Sequence, residues 1–153
     1  MFMMNCFAVE NLSVLLKKVQ NIKNKNFDCE DVTEKFRETF NFIPPTVQET
    51  ILKNTIKNLS KRVPSIPTRT LEKLVKNFAN SDVPEEEACK FSYKTFSDKM
   101  STKCLDSCIQ KSDLTFERIV KTLEKCSINW KCYIDETDEI SSGFSKCIGK
   151  CVE

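Results

Sequence analysis

Residues 89–108 read CKFSYKTFSDKMSTKCLDSC, and residues 132–151 read CYIDETDEISSGFSKCIGKC. Both follow one pattern, C-x14-C-x3-C, offset by 43 residues, and beyond Lys103 and Lys146 their other residues match poorly. The common spacing reads as a duplicated helical unit or a shared packing geometry. Cysteines four apart lie on one face of a helix, one turn from each other, which describes Cys104 with Cys108 and Cys147 with Cys151. Two such helices packed antiparallel are stapled twice in crossed order, Cys104 to Cys151 and Cys108 to Cys147. A parallel arrangement instead pairs Cys104 with Cys147 and Cys108 with Cys151. It needs a long return connection, which residues 112–135 are long enough to supply. The antiparallel pairing is the favoured expectation. Each bond then closes a loop of roughly 40 residues, worth about 3–4 kcal/mol in the chain-entropy account.

Working outward, the 153-residue chain holds nine cysteines and no histidine. A zinc protein this rich in cysteine is expected to show C-x2-C pairs, and the sequence has none, so disulfides are the expectation. An odd count leaves at least one thiol free or paired between chains. Only two glycines occur, Gly143 and Gly149, which disfavours a fold of many hairpins. Abundant Lys, Glu and Leu favour helices. Hydrophobic content of 40% and charged content of 30% are ordinary for a globular domain of this length.

Apolar spacing is helical throughout. Val9, Leu12, Leu15, Leu16, Val19 and Ile22 outline a first helix, and Cys29, Val32, Phe36 and Phe40 a second that stops at Pro44 and Pro45. A third opens at Thr46, where Thr46 and Glu49 fit a capping box, and runs through Val47, Ile51, Ile56, Leu59 and Val63. Pro64 and Pro67 bracket a linker before a fourth on Leu71, Leu74, Val75 and Phe78. A fifth starts at Asp82, with Pro84 and Glu85 to Glu87 in its first turn, and extends to about Lys111. A sixth starts near Asp113, and a seventh near Asp135 or Thr137. The expected fold is all-α, a disulfide-stapled antiparallel bundle of six or seven helices in a single domain, 1–153. A subdivision is conceivable between a cysteine-poor part, 1–80, and a cysteine-rich duplicated unit, 81–153. The former has 13 basic and 8 acidic residues, net +5; the latter has 11 and 14, net −3. Among the remaining cysteines, Cys126 and Cys132 flank a turn and pair with each other or with Cys89, and Cys6 with Cys29 ties the first two helices.

Without histidine, serine–histidine and cysteine–histidine catalysis are excluded, and neither a C-x-x-C redox motif nor a phosphate-cradling glycine loop is present. The chain is read as a non-enzyme that takes no cofactor and no metal. Lys53, Lys57 and Lys61 lie at four-residue spacing, and Arg62, Arg69, Lys73 and Lys76 extend a basic stretch opposed only by Glu72. The plain reading of that face is a solvated helix surface; the functional one is a site for an anionic partner, whether a membrane surface, a polysaccharide, nucleic acid or an acidic protein. Aromatics do not interleave with these lysines, which speaks against specific nucleic-acid binding. Eleven phenylalanines either fill the core or line a site for an apolar ligand. Asn11-Leu-Ser13 and Asn58-Leu-Ser60 are glycosylation sequons. No apolar run approaches the length of a membrane span. The cysteines imply a secreted, extracellular protein whose signal sequence was removed ahead of Met1.

Three families invite comparison. Twin C-x3-C proteins of the mitochondrial intermembrane space carry their two motifs much closer together than Cys108 and Cys147. Insect odorant-binding proteins carry a C-x8-C near the end that this chain lacks. The chain is similar to the aphid bicycle proteins, secreted salivary effectors named for paired cysteine–tyrosine–cysteine motifs. Cys89, Tyr93 and Cys104 make one such motif, and Cys132, Tyr133 and Cys147 the other. The tyrosine follows its cysteine by four residues in one and by one in the other. The resemblance covers residues 89–151 and implies a protein secreted into a host that binds host molecules. The functional expectation is therefore a secreted, non-enzymatic effector or interaction protein, with a carrier of an apolar ligand inside the bundle as the alternative.

Overall fold

The computed structural model describes residues 29–111 and 116–152. Among these, seven helices follow in order: α1 (Cys29–Phe40), α2 (Pro45–Arg62), α3 (Thr68–Ala79), α4 (Glu85–Ser97), α5 (Thr102–Lys111), α6 (Phe116–Cys126) and α7 (Trp130–Val152). The helix expected over Val9–Ile22 lies outside the described residues.

Proline sets three of the starts. Pro44, Pro67 and Pro84 sit just ahead of α2, α3 and α4 with φ between −54° and −57°. Proline needs no N–H there, and its carbonyl accepts the first helical hydrogen bond, from Gln48, Leu71 and Ala88 at 2.9, 3.1 and 3.0 Å. The capping box expected of Thr46 and Glu49 does not form, because Pro44 rather than Thr46 occupies the cap and has no side-chain oxygen. Glu49 pairs instead with Lys53 at 3.3 Å. Gln48 turns its amide back to the carbonyls of Phe40 and Ile43, at 2.9 and 2.8 Å, and so ties the end of α1 to the start of α2. Arg37 does similar work at the far end of α3. Buried, it donates to the carbonyls of Asn77 and Phe78, both at 2.9 Å, which places a cation against the negative end of that helix.

Two further starts and stops differ from expectation. The long fifth helix is broken: α4 ends at Ser97, the chain turns through Asp98–Ser101, and α5 begins at Thr102. The Ser101 hydroxyl accepts from the Cys104 amide at 3.2 Å and caps α5. The last helix starts at Trp130 rather than near Asp135, because Asn129 caps it through the Cys132 amide at 3.2 Å.

The most extensive helix–helix contact joins α2 to α7. These two run in the same direction, since Asn58 meets Asp138 and Ser141 while Arg62 meets Gly149. α5 runs opposite to α7, so the bundle mixes both senses. Around the α2–α7 spine sit two apolar clusters. One gathers Leu59, Val63, Leu71, Leu74, Phe96, Leu105 and Ile148 from α2, α3, α4, α5 and α7 and the turn between α2 and α3. The other gathers Phe40, Ile43, Val47, Leu123 and Tyr133 from α1, α2, α6 and α7 and the turn ahead of α2. Residues on both sides of position 80 contribute to each cluster. Burying each of the larger side chains, such as the fully buried Leu71, stabilises the fold by about 1.5–3 kcal/mol.

Small residues allow α2 to approach α7. Ser141, Ser145 and Gly149 recur every four positions, and a Cβ at Gly149 would lie 2.9 Å from the Arg62 carbonyl oxygen. Ser145 is fully buried, and its hydroxyl has no hydrogen-bond partner.

Candidate functional site

α5 and α7 meet through the twin C-x3-C motifs. Cys104 is bonded to Cys151 and Cys108 to Cys147, with Cα separations of 5.8 and 5.7 Å. The pairing is the crossed one that antiparallel helices give. Cys108 is fully buried among Leu105 and Ile148, whereas Cys104, Cys147 and Cys151 are half-buried. The two disulfides lie side by side, with Cys108 Sγ 3.6 Å from Cys151 Sγ.

Cys126 is bonded to Cys132 across the turn from α6 to α7. Inside that loop Ser127 adopts φ 53°, and Ile128 is 61% exposed, the one strongly exposed large apolar side chain among the described residues. Cys89, buried in α4, is disulfide-bonded as well, and to none of these six. The expected bond between Cys6 and Cys29 falls outside the described side chains.

The predicted basic face divides. Lys53, Lys57 and Lys61 follow one another along α2 and line a groove whose other wall is α3, with Ile56 and Ser60 on one side and Thr68 and Glu72 on the other. Ser60 Oγ and Thr68 Oγ1, one on each wall, lie 3.2 Å apart and are hydrogen-bonded to each other. The Lys53–Glu49 pair is exposed and worth little. Lys57 and Lys61 point into solvent and form no ion pair among the described residues. Lys73 turns away and covers the Phe91 ring at 5.1 Å. Arg62, Arg69 and Lys76 are exposed but do not line the groove.

A second cleft, which sequence reading missed, lies along α7 beside the end of α5. Asp135, Asp138 and Glu139 line it with Lys111 and Lys146. Both clefts are open to solvent and rimmed by charge. The phenylalanines pack on one another instead: Phe36 stacks on Phe40 at 5.4 Å, and Phe96 meets Phe144 edge-on at 6.3 Å.

The sequon at Asn58 is committed to structure. Its amide donates to Asp138 Oδ1 at 2.9 Å and to Ser141 Oγ at 3.2 Å across the α2–α7 contact. A glycan there would replace those bonds. The other sequon, at Asn11, lies outside the described residues.

The two tyrosines occupy unlike settings. Tyr93 is half-buried and donates to Asp106 at 3.1 Å; burial, followed by that bond and the carboxylate's charge, raises its pKa. Tyr133 is buried against Trp130, and burial alone pushes its phenol far above the ordinary value. Neither phenol is set up to lose a proton near neutral pH. No helix among the described residues is long and apolar enough to cross a membrane. No protein-family model, curated protein or solved structure matches this chain.

Proposed function

We propose that the chain is a secreted, non-enzymatic interaction protein, an effector that binds an anionic partner in a host or extracellular setting through the α2–α3 groove. The observation that carries this reading is the row Lys53, Lys57 and Lys61, of which the last two are exposed and without ion pairs among the described residues. Eight residues of helix span about 12 Å, so the row presents three ammonium groups along a line that a linear polyanion or an acidic protein edge can follow. The Ser60 and Thr68 hydroxyls offer hydrogen bonds between the charges. Disulfides in α4, α5 and α7 and across the α6–α7 turn support an oxidising compartment.

A sulfated polysaccharide column is the simplest probe. The intact protein should be retained and elute only as salt is raised, while Lys57→Glu with Lys61→Glu should elute markedly earlier at unchanged helicity. Equal retention of the two would remove the groove as the binding surface. Recovery of the protein from the culture medium with its disulfides formed, rather than from the cell pellet, tests secretion separately.

A further inference from the structure

We propose that Cys104, Cys108, Cys147 and Cys151, once reduced, form a tetrathiolate site for a zinc-class divalent cation. Their placement on the two helices carries the inference. In tetrahedral coordination with Zn–S of about 2.3 Å, neighbouring sulfurs stand about 3.8 Å apart. Cys108 Sγ and Cys151 Sγ, which are not bonded to each other, are already 3.6 Å apart. The Sγ atoms of Cys104, Cys108 and Cys151 all lie within 4.8 Å of one another, and Cys147 Sγ is bonded to one of them. The Cα atoms facing across the helices are separated by 5.8 and 5.7 Å. Opening each S–S bond to the thiolate spacing therefore needs side-chain rotation and little backbone movement. The C-x3-C spacing on each helix is one residue wider than the C-x2-C pairs the sequence lacks, and it falls within the two-to-four-residue range of structural zinc ligands.

The chemistry balances with a low-molecular-weight thiol as reductant. Each disulfide takes up two electrons and two protons from two thiols, which leave as their own disulfide. The cation then displaces four protons, and the resulting centre carries two negative charges. Lys103, Lys146 and Lys150 each adjoin one of these cysteines in sequence and are exposed, which supplies positive charge around that centre. The burial of Cys108 among Leu105 and Ile148 excludes water from one side of it. The same four residues then join α5 to α7 in reducing as well as oxidising surroundings.

The full chain, reduced anaerobically with a phosphine and freed of reductant, is titrated with Co(II). Saturation at one equivalent is expected, with the intense visible bands of tetrahedral thiolate coordination, and Zn(II) should displace the cobalt and restore helicity lost on reduction. Cys126→Ala with Cys132→Ala should leave the titration unchanged, whereas Cys104→Ala with Cys108→Ala should abolish the bands. Absence of saturable binding at one equivalent, or the same bands in the Cys104→Ala, Cys108→Ala chain, would overturn the proposal.

Discussion

From Cys132 to Cys151 the chain stays in one helix, α7. From Cys89 to Cys108, under the same cysteine spacing, it leaves α4 at Ser97 and restarts as α5 at Thr102. The first cysteines accordingly serve different ends. Cys132 closes a six-residue step back to Cys126, while Cys89 is bonded elsewhere. Only the C-x3-C pairs are equivalent, and those pairs bond each other. Local propensity would place the break in the other copy, because Ser141, Ser142 and Gly143 are weaker helix formers than Lys99 and Met100. Packing decides instead. α7 lies along α2, and Ser141 and Gly149, not Ser142 or Gly143, stand at that contact. The chain after Phe96 must turn so that Met100 and Leu105 both enter the core. A shared cysteine spacing thus records where cross-links fall, not the path of the backbone between them.

The comparison is tested most severely by removing the equivalent parts. The Cys104–Cys151 and Cys108–Cys147 bonds span 47 and 39 residues and are nested, so once either is closed the other closes only the short circuit between them. In the chain-entropy account, losing one costs about 2.5 kcal/mol and losing both about 6, more than twice the single loss. Replacing the cysteines by alanine, pair by pair and then together, with denaturant unfolding as the readout, checks this. The Cys126–Cys132 bond, closing its small loop, should cost about 2 kcal/mol and add independently. Strictly additive losses for the two staples would mean that they do not share one loop.

Next in size is the close approach that keeps α7 continuous. A methyl group at Gly149 meets the Arg62 backbone carbonyl, which has no flexible end to move aside. Gly149→Ala should therefore destabilise by about 1–3 kcal/mol. Gly143 is exposed with nothing within 4 Å of an added Cβ, and Gly143→Ala should stabilise by about 1 kcal/mol through helix propensity alone. Thermal unfolding of the two variants should move in opposite directions. A stabilised Gly149→Ala chain would separate α2 from α7 at that point and undo the packing explanation of the unbroken helix.

Much of this was readable in advance, for identifiable reasons. Period-3.6 apolar residues and the prolines located α1, α2 and α3, because those signals act within a few residues. Four-residue spacing showed that the two C-x3-C motifs could be stapled twice; the crossed order was the favoured of two pairings, and the antiparallel course of α5 and α7 decides it. The break at Asp98–Ser101 was missed because Ser101 acts as a cap only once the packing of Met100 demands a turn, and nothing local marks it off from Ser97 or Ser107. The Thr46–Glu49 box was misread because two prolines ahead of it already supplied the start. Asn58 read as a sequon, and its place as a bridge to Asp138 and Ser141 depends on a partner 80 residues away. Likewise, the division of the lysines between groove and Phe91 depends on which side of α3 faces α4, a tertiary fact.

The smallest effects concern where each copy places its cap. Ser101 sits three residues before the second cysteine of its copy, and Asn129 three before the first cysteine of the other. Ser101→Ala and Asn129→Ala should each cost about 0.5–1 kcal/mol, the low range for exposed caps. They should differ in reach, however. Ser101→Ala frees the Cys104 amide beside a turn that the packing of Phe96, Met100 and Leu105 still imposes, so it should speed hydrogen exchange across 98–101 and the first turn of α5. Asn129→Ala frees the Cys132 amide inside a loop already held by Cys126–Cys132, and should speed exchange only at the first turn of α7. Slower exchange at 98–101 in the Ser101→Ala chain would mean that α4 had extended toward α5 once the serine was gone. The turn would then belong to the cap, and not to the packing of Phe96, Met100 and Leu105.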